Sequence, residues 1–369
     1  MMKIRMTALA AAAAIAAISG GASAQSAGDV VFTTDDGGVW LRTLGGMTTQ
    51  LAQINDPGVR LADLAFGPGG ALFVNSGPAP VENPSQAVMY RIDDPFGSAN
   101  VSVLASSDPL QNPVGLVFDP NSGNLLTVNN PGTPGQPQFY IGLLGVNPTT
   151  GVVTELLERD ISSFPTWNRG SYLSQVPGAP GEFFATAAEG SATVIPAVPG
   201  FSRAGSLHRL TVSGDLSGAS ESLIVDLGDT SVTGLNMPIT RVTGVTAVDS
   251  QTLFVSAFDF DDQAGAIYRV DLDANGDFVG LQDITSGNVP QTFLPEEIEY
   301  NPFTGTLLFA DRSTSGATGG NILEINLDGT GFSVFANEGR VRGIAIIPTP
   351  AGGALLAIAG LAAARRRRG

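Results

Sequence analysis

A unit of four short apolar runs, separated by turns, recurs along this chain of 369 residues. Its first half is seen when four segments are aligned: "LADLAFGPGGALFV" (61–74), "GLVFDPNSGNLLTV" (115–128), "GVTAVDSQTLFV" (244–255) and "IEYNPFTGTLLFA" (298–310). Each segment holds two apolar runs around a turn, and a third and a fourth run follow. The runs are rich in β-branched and aromatic residues and are bounded by Gly, Pro, Asn and Asp, so they predict short strands. We name the four strands of a unit A, B, C and D.

Repetition of four antiparallel strands every 45 to 70 residues or so is typical of the blades of a β-propeller. The sequence therefore predicts an all-β fold with six blades. The unit that begins near 172 matches least well, and the long stretch 158–205 leaves seven blades as an alternative. An open sandwich is the other. The predicted A strands begin near residues 61, 114, 172, 241, 296 and 341.

The first and last runs predict how the ring closes. The last A strand, "RVRGIAII" (340–347), has no B, C or D strand after it, whereas "DVVFTTD" (29–35) and the two runs that follow have no A strand before them. Together they complete one blade, and this pairing removes the exposed sheet edges. The predicted propeller domain covers residues 28–347.

The N-terminus has the pattern of a secretory signal peptide. Lys3 and Arg5 precede an apolar run, and small residues end at Ala22-Ser23-Ala24, which predicts a signal peptide over 1–24 with cleavage between Ala24 and Gln25. The run is short for a membrane span. We therefore expect the protein to be exported.

The C-terminus, residues 348–369, holds Pro348-Thr349-Pro350, an uncharged apolar run over 351–364, and the cluster Arg365, Arg366, Arg367 and Arg368. This layout resembles the PEP-CTERM sorting signals of exported bacterial proteins, although Thr349 stands where that family usually has Glu. The resemblance implies transient membrane insertion, cleavage by an exosortase-like enzyme, and a final place at the cell surface or outside the cell. The alternative is an uncleaved tail that anchors the protein in the membrane, with the arginines on the cytoplasmic side.

The charge distribution excludes some partners. Six of the 18 basic residues lie in the two ends, which hold no acidic residue, so the region between them has 12 basic and 34 acidic residues and a formal charge near −22. Such a surface repels nucleic acid, which is bound through Lys and Arg contacts to phosphate. The chain contains no Cys and one His, which nearly excludes a zinc site of the usual kind. A lone His on a strand, here His208, is usually structural, and no nucleophile elbow is present.

Two sets of oxygen-bearing side chains are candidates for binding Ca²⁺ or another divalent cation. In "DLDANGD", the residues Asp271, Asp273, Asn275 and Asp277 resemble the first half of a calcium loop, but position 12 is Gln282 rather than Glu. The same segment is the predicted turn between strands C and D, where Asn-Gly is favoured on conformational grounds. Turn and calcium site both stay open.

The second set lies where B strands end. By its repeat pattern the chain resembles six-bladed propellers of the NHL, SMP-30/gluconolactonase and strictosidine synthase-like kinds. In the gluconolactonase-like proteins, a divalent cation is bound in the central channel by carboxylate and amide oxygens. The resemblance implies that Asn75, Asn129, Asp259 and Asp311 supply such ligands here. The alternative is that Asn and Asp end strands because they favour turns.

Two functions remain open. The first is a non-enzymatic, surface-displayed protein that binds a matrix polysaccharide or another surface protein. The second is a metal-dependent extracellular hydrolase or lactonase of the SMP-30-like type. The absence of a catalytic motif and the sorting-type tail favour the first.

Overall fold

The structure is a computed structural model, and it describes residues 25–56, 59–78, 87–106, 109–129, 140–160, 170–187, 205–235, 239, 242–259, 264–286, 294–312 and 320–348. Within this part of the chain, 24 strands form six antiparallel sheets of four strands each. The sheets are the blades of a six-bladed β-propeller.

The blades are numbered from the one that closes the ring. Their strands in chain order are β1 (Val30–Thr34), β2 (Gly38–Arg42) and β3 (Thr48–Gln53) of blade 1; β4 (Val59–Phe66), β5 (Leu72–Pro78), β6 (Val88–Asp93) and β7 (Asn100–Ser106) of blade 2; β8 (Pro113–Asp119), β9 (Asn124–Asn129), β10 (Tyr140–Val146) and β11 (Val153–Asp160) of blade 3; β12 (Gly170–Gln175), β13 (Glu182–Ala187), β14 (Ser206–Val212) and β15 (Ala219–Asp226) of blade 4; β16 (Val242–Ala247), β17 (Thr252–Asp259), β18 (Ala264–Leu272) and β19 (Phe278–Asp283) of blade 5; β20 (Pro295–Asn301), β21 (Thr306–Asp311), β22 (Ile322–Asn326) and β23 (Ser333–Ala336) of blade 6; and β24 (Val341–Ile346), which returns to blade 1. A short 3-10 helix (Pro68–Gly70) and one helical turn, α1 (Thr230–Thr233), lie between strands.

The ring closes as the sequence predicts. Strand β24 pairs antiparallel with β1, with Val30 opposite Ile346 and Phe32 opposite Ile344. The six A strands (β24, β4, β8, β12, β16 and β20) each contact the A strand of the next blade, so they surround the axis. The prediction of six blades with a shared closing blade is confirmed, and the open sandwich and the seven-bladed ring are wrong.

Apolar packing between blades explains the sequence pattern of the strands. Six clusters of buried apolar side chains each fill one interface between neighbouring blades. Strands covered on both faces are buried without alternation, as in β9, where all six residues are buried. The outer D strands are more exposed, as in β7. This difference is why the A and B strands carry the clearest repeat.

Blade 4, the least regular unit in the sequence, is complete. It contains a D strand, β15, that the repeat pattern does not predict, and Phe183 and Phe184 of its B strand are fully buried. In the described part of the chain, no helix is long and apolar enough to cross a membrane. The predicted signal peptide and almost all of the predicted sorting signal, including Ala24, Thr349, Pro350 and Arg365 to Arg368, lie outside that part.

Candidate functional site: the upper face of the ring

The upper face is defined here as the side where A and C strands begin and B and D strands end. On this side, every A strand has a two-residue bulge relative to its B strand. A bulge leaves backbone groups without ladder partners. These groups must find other partners, because a buried unpaired N–H or C=O group is costly.

In four blades, one B-strand side chain satisfies these groups. Asn75 is an example: its Oδ1 accepts a hydrogen bond from the Asp63 N–H at 2.7 Å, and its Nδ2 donates to the Val114 carbonyl of the next blade at 2.6 Å. We call this arrangement a latch, because one side chain joins the bulges of two blades. The latch residues are Thr33, Asn75, Thr186 and Ser256.

Blades 3 and 6 have Val128 and Ala310 at the latch position, and the next residue takes a related role. Asn129 Oδ1 accepts hydrogen bonds from the N–H groups of residues 111 and 112, both at 3.0 Å. Asp311 Oδ1 accepts from the Leu294 N–H at 2.9 Å. Both side chains therefore tie the entry of an A strand to the end of its B strand.

Three of the four predicted channel ligands are thus engaged in hydrogen bonds to the backbone. Asn75 and Asn129 use both amide atoms in this way, and Asp311 uses Oδ1. Asp259 ends β17, and its side chain lies outside the described set. In this arrangement the described members do not fit a cation site. That these four residues bind a cation stays a prediction.

The segment Asp271–Asp277 forms the hairpin between β18 and β19. Asp273 Oδ1 accepts hydrogen bonds from the N–H groups of Asn275 and Asp277 at 2.8 and 2.9 Å. Asp271 pairs with Arg269 at 2.9 Å. The backbone donors lower the pKa of Asp273. This geometry is that of a polar turn, and calcium binding by these residues stays a prediction.

Side chains of the bulges converge near the axis. The second bulge residue is Gly343, Asp63, Gly115, Tyr172, Gly244 and Glu297 in blades 1 to 6, so that glycine alternates with a larger residue around the ring. A Cβ on Gly343 would lie 2.7 Å from the Ala62 carbonyl oxygen and 2.8 Å from Asp63 Cα. We call Asp63, Tyr172 and Glu297 the axial plug.

The two acids of the plug share a proton. Asp63 of blade 2 and Glu297 of blade 6 are hydrogen-bonded to each other across blade 1. Asp63 also accepts hydrogen bonds from the N–H groups of Leu64 and Leu116, and Glu297 from that of Ile344. Burial raises the pKa of Asp63 to about 6, and burial together with the Asp63 charge raises the pKa of Glu297 well above its ordinary value. Glu297 is therefore the partner that holds the proton.

Two further groups share this environment. Burial raises the pKa of Glu299 to about 8, with the charge of Asp63 as the second cause. The hydroxyl of Tyr172 is buried near Glu296, Glu297 and Asp63, and its pKa lies well above the ordinary value. Burial therefore favours the protonated forms of Glu297 and Tyr172, whereas Asp63 is the more acidic partner of the pair. Sequence reasoning missed the plug, although "LADLAF" and "EEIEY" place acids inside apolar A strands.

Arginines surround two acids at the upper face of blades 6, 1 and 2. Arg342 contacts Asp35 at 2.5 Å and Glu296 at 2.9 Å, and Arg312 contacts Glu296 at 3.0 Å. Arg60 and Arg340 lie 3.9 and 3.8 Å from Asp35. The arginine rim is defined as Arg60, Arg312, Arg340 and Arg342.

The rim is built unevenly. The Arg342 side chain is 11% exposed and joins both acids, whereas Arg340 is 71% and Arg60 42% exposed. Arg340 also has a φ of 54°, in the left-handed region that residues other than glycine seldom adopt. Such a conformation is a reason to ask for a function. Sequence reasoning missed the rim because its members come from three different blades.

The single histidine lies in a polar network inside blade 4. The Ser206 hydroxyl is 2.7 Å from His208 Nε2, and Glu221 Oε1 is 2.5 Å from His208 Nδ1. Ser206 and His208 lie on one face of β14, and Glu221 lies on the neighbouring strand β15. The sequence predicts neither partner.

Comparison with known proteins places the chain by fold alone. No family model and no curated protein matches its sequence. Among solved structures, it is similar to a calcium-binding protein, regucalcin, from Agrobacterium tumefaciens, with a TM-score of 0.51, 12% identity, and coverage of 88% of this chain and 90% of that one. It is also similar to a putative 6-phosphogluconolactonase from Bacteroides fragilis, with a TM-score of 0.51, 12% identity, and coverage of 88% and 98%. A third is a hypothetical selenium-binding protein from Sulfolobus tokodaii, with a TM-score of 0.52, 11% identity, and coverage of 84% and 75%.

The calcium binding named for one of these proteins has no ready counterpart in the part of this chain that the structure describes. There, no group of three or more His, Asp or Glu side chains is placed to hold a metal ion. The acids nearest the axis form one hydrogen-bonded carboxyl pair, Asp63 and Glu297, or face arginines.

Proposed function

We propose that this chain is an exported propeller that binds acidic sugar groups of a surface polysaccharide at its arginine rim, without turnover at that site. The observation that carries the proposal is the exposed pair Arg60 and Arg340, which lie at 3.8 to 3.9 Å from Asp35 and are only loosely held by it. Guanidinium groups bind carboxylate and sulfate through paired hydrogen bonds. The axial plug places buried side chains near the axis, and the arginines of the rim lie at the upper face, which is the surface that we propose for the ligand.

The charge of the whole chain sets the kind of polymer. A formal charge near −22 between the ends repels a densely charged polyanion, whereas contacts to the rim act at short range. The rim therefore suits a polysaccharide with sparse carboxylates. Hyaluronate, with one carboxylate for every two sugars, is a suitable probe, and heparin and neutral dextran are the comparisons.

Binding of the isolated protein to immobilised hyaluronate tests the proposal. We expect binding to hyaluronate and none to dextran, and we expect the double variant Arg60→Ala/Arg340→Ala to lose about tenfold in affinity, or about 1.4 kcal/mol. The matched control is Arg269→Ala, because Arg269 is also 42% exposed and paired with an acid, but on blade 5. Equal loss in the control, or equal binding to dextran, would contradict the assignment.

The alternative is a metal-dependent hydrolase or lactonase. Its support is the fold shared with the regucalcin and the putative lactonase, and the unassigned role of Asp259. Turnover of a panel of sugar lactones that requires Ca²⁺ or another divalent cation and is lost with EDTA would favour it over binding alone.

Export and surface display belong to the same proposal, with an exosortase-like enzyme as the processing partner. They are supported by the signal-type N-terminus and the tripartite tail. The intact mass of the protein from its host, after cell fractionation, provides the test. A mass that lacks residues 1–24 and the arginine tail supports sorting. A membrane-bound mass that retains Arg365 to Arg368 indicates an uncleaved anchor.

A further inference from the structure

Blade 4 holds a serine, a histidine and a glutamate in the connectivity of a hydrolytic triad. Ser206 Oγ lies 2.7 Å from His208 Nε2, and His208 Nδ1 lies 2.5 Å from Glu221 Oε1. These are the distances at which a nucleophile contacts its base and the base contacts the acid that orients it. Such a site is recognised by its geometry and not by sequence order. None of the three residues belongs to the arginine rim or to the predicted metal ligands.

We propose that Ser206, His208 and Glu221 form a metal-independent acyl-ester hydrolase site. In the reaction, Ser206 Oγ attacks the ester carbonyl carbon while its proton moves to His208 Nε2. The intermediate then expels the alcohol, which takes that proton from Nε2, and leaves an acyl group on Ser206. Water repeats the sequence: its oxygen attacks the acyl carbonyl, His208 relays the proton, and a carboxylic acid leaves Ser206 free.

The hydrogen bonds assign the roles. A carboxylate at Nδ1 holds the imidazole proton on that nitrogen, so that Nε2 is the acceptor for the serine hydroxyl. Glu221 acts through the histidine, whose Nδ1 it contacts, and is the positioning residue. Ser206 and His208 are two residues apart on β14, so the pleat of the strand itself sets both side chains on one face.

The burial of the trio limits the size of the substrate. Ser206 and His208 share their face of β14 with Leu210 and Val212, which pack in the apolar interface of blades 3 and 4. His208 is fully buried, Ser206 is 2% exposed, and the Glu221 side chain is 7% exposed. Because the hydroxyl is almost fully buried, we expect only the smallest acyl groups, such as acetyl esters, to reach it. The apolar interface also strengthens the hydrogen bond between His208 and Glu221, because electrostatic interactions are stronger in a medium of low polarity.

The test treats the full chain with methanesulfonyl fluoride, a reagent close to an acetyl group in size that sulfonylates activated serines with loss of fluoride, and locates the adduct by mass spectrometry. We expect one adduct, on Ser206, absent from Ser206→Ala. His208→Gln should lower the labelling rate by about 100-fold or more, since general-base catalysis contributes about 10²- to 10⁴-fold. Glu221→Gln should lower it by about tenfold or more and change its pH profile. The rate of p-nitrophenyl acetate hydrolysis should fall most in Ser206→Ala, less in His208→Gln and least in Glu221→Gln.

Ser76→Ala is the matched control. Ser76 is also a fully buried serine at the upper face, but it donates to the Val88 carbonyl at 2.7 Å and has no histidine beside it. It should leave labelling of Ser206 unchanged. Circular dichroism of every variant separates loss of the fold from loss of the site. The proposal is overturned if folded wild-type protein remains unlabelled at reagent levels that fully label a known serine esterase, or if labelling persists in Ser206→Ala. In either case the trio is a structural hydrogen-bond network. Binding at the rim, on the opposite side of the ring, is measured separately and does not depend on the result.

Discussion

The shared proton of the axial plug makes the stability of the ring depend on pH, and Glu297→Gln should remove much of that dependence. The pKa of Glu297 in the folded protein is raised well above the 4.5 of an ordinary glutamate. Folded protein therefore keeps a proton that the unfolded chain loses. The stability from this group is fully present below about pH 4.5 and is lost as the pH rises through the folded pKa. Each pH unit in this window lowers the free energy of unfolding by about 1.4 kcal/mol for one proton.

Between pH 5 and pH 7, the loss from Glu297 is at most about 2 to 3 kcal/mol, which is reached when the folded pKa lies above this window. Glutamine keeps the hydrogen bonds, because its oxygen can accept from the Ile344 N–H and its amide can donate to Asp63. The variant should therefore resemble the wild type at pH 5 and exceed its stability at pH 7 by up to about 3 kcal/mol. Urea unfolding followed by circular dichroism at pH 5, 6 and 7 measures how the free energy of unfolding depends on pH in the wild type and in the variant. Glu155→Gln, on the exposed side of β11, controls for the loss of one charge. Parallel pH profiles for Glu297→Gln and the wild type would refute the shared proton.

Three further substitutions test the packing around the upper face by urea unfolding. Asn75→Ala leaves an N–H and a carbonyl group of two bulges unpaired, and should cost about 2 to 4 kcal/mol, since each buried unpaired group costs about 1 to 3 kcal/mol; a loss below about 1 kcal/mol would mean that the latch is weak. Gly343→Ala should cost about 1 to 3 kcal/mol through overpacking against blade 2, whereas Gly280→Ala, with open space around its added Cβ, should have no such cost. Arg342→Met should cost about 2 to 4 kcal/mol, because it leaves Asp35 and Glu296 facing each other with their main partner gone; Arg269→Met, which breaks an exposed pair, should cost less than about 1 kcal/mol.

The repeat in the sequence was sufficient to predict the fold because each blade must bury both faces of its inner strands. Every unit therefore has a similar apolar pattern, and the turn residues show where each strand ends. The closing blade followed from counting, since an A strand without partners at one end of the chain needs the three unpaired strands at the other. Blade 4 was the weakest match in the sequence because its A strand, "SYLSQV", is only weakly apolar.

The chemistry of the upper face could not be predicted in the same way. Asp63 and Glu297 are far apart in the chain and meet only because they lie on either side of the closing blade. The latch residue Asn75 was visible as a polar residue at a strand end, but turn chemistry and metal binding were the two explanations that a strand end suggests. Bulges provide a third explanation for such residues, because they leave backbone N–H and C=O groups that a side chain must pair by hydrogen bonds. A bulge cannot be seen in a single sequence, since the residue pattern on either side of it stays apolar.

The alternation of glycine with larger residues at the second bulge position determines which side chains lie near the axis. Six inward side chains would crowd at the axis, and three are accommodated because the intervening blades have glycine. The three that remain are a hydrogen-bonded acid pair and a buried tyrosine, so the chain's own groups lie near the axis at the level of the bulges. Burial opposes ionisation of Glu297, so the acid pair is poorly suited to bind a cation. The arginine rim over blades 6, 1 and 2 and the trio in blade 4 lie on opposite sides of the plug. A ligand at one would not reach the other, which is why binding and ester hydrolysis can be tested as separate properties of one ring.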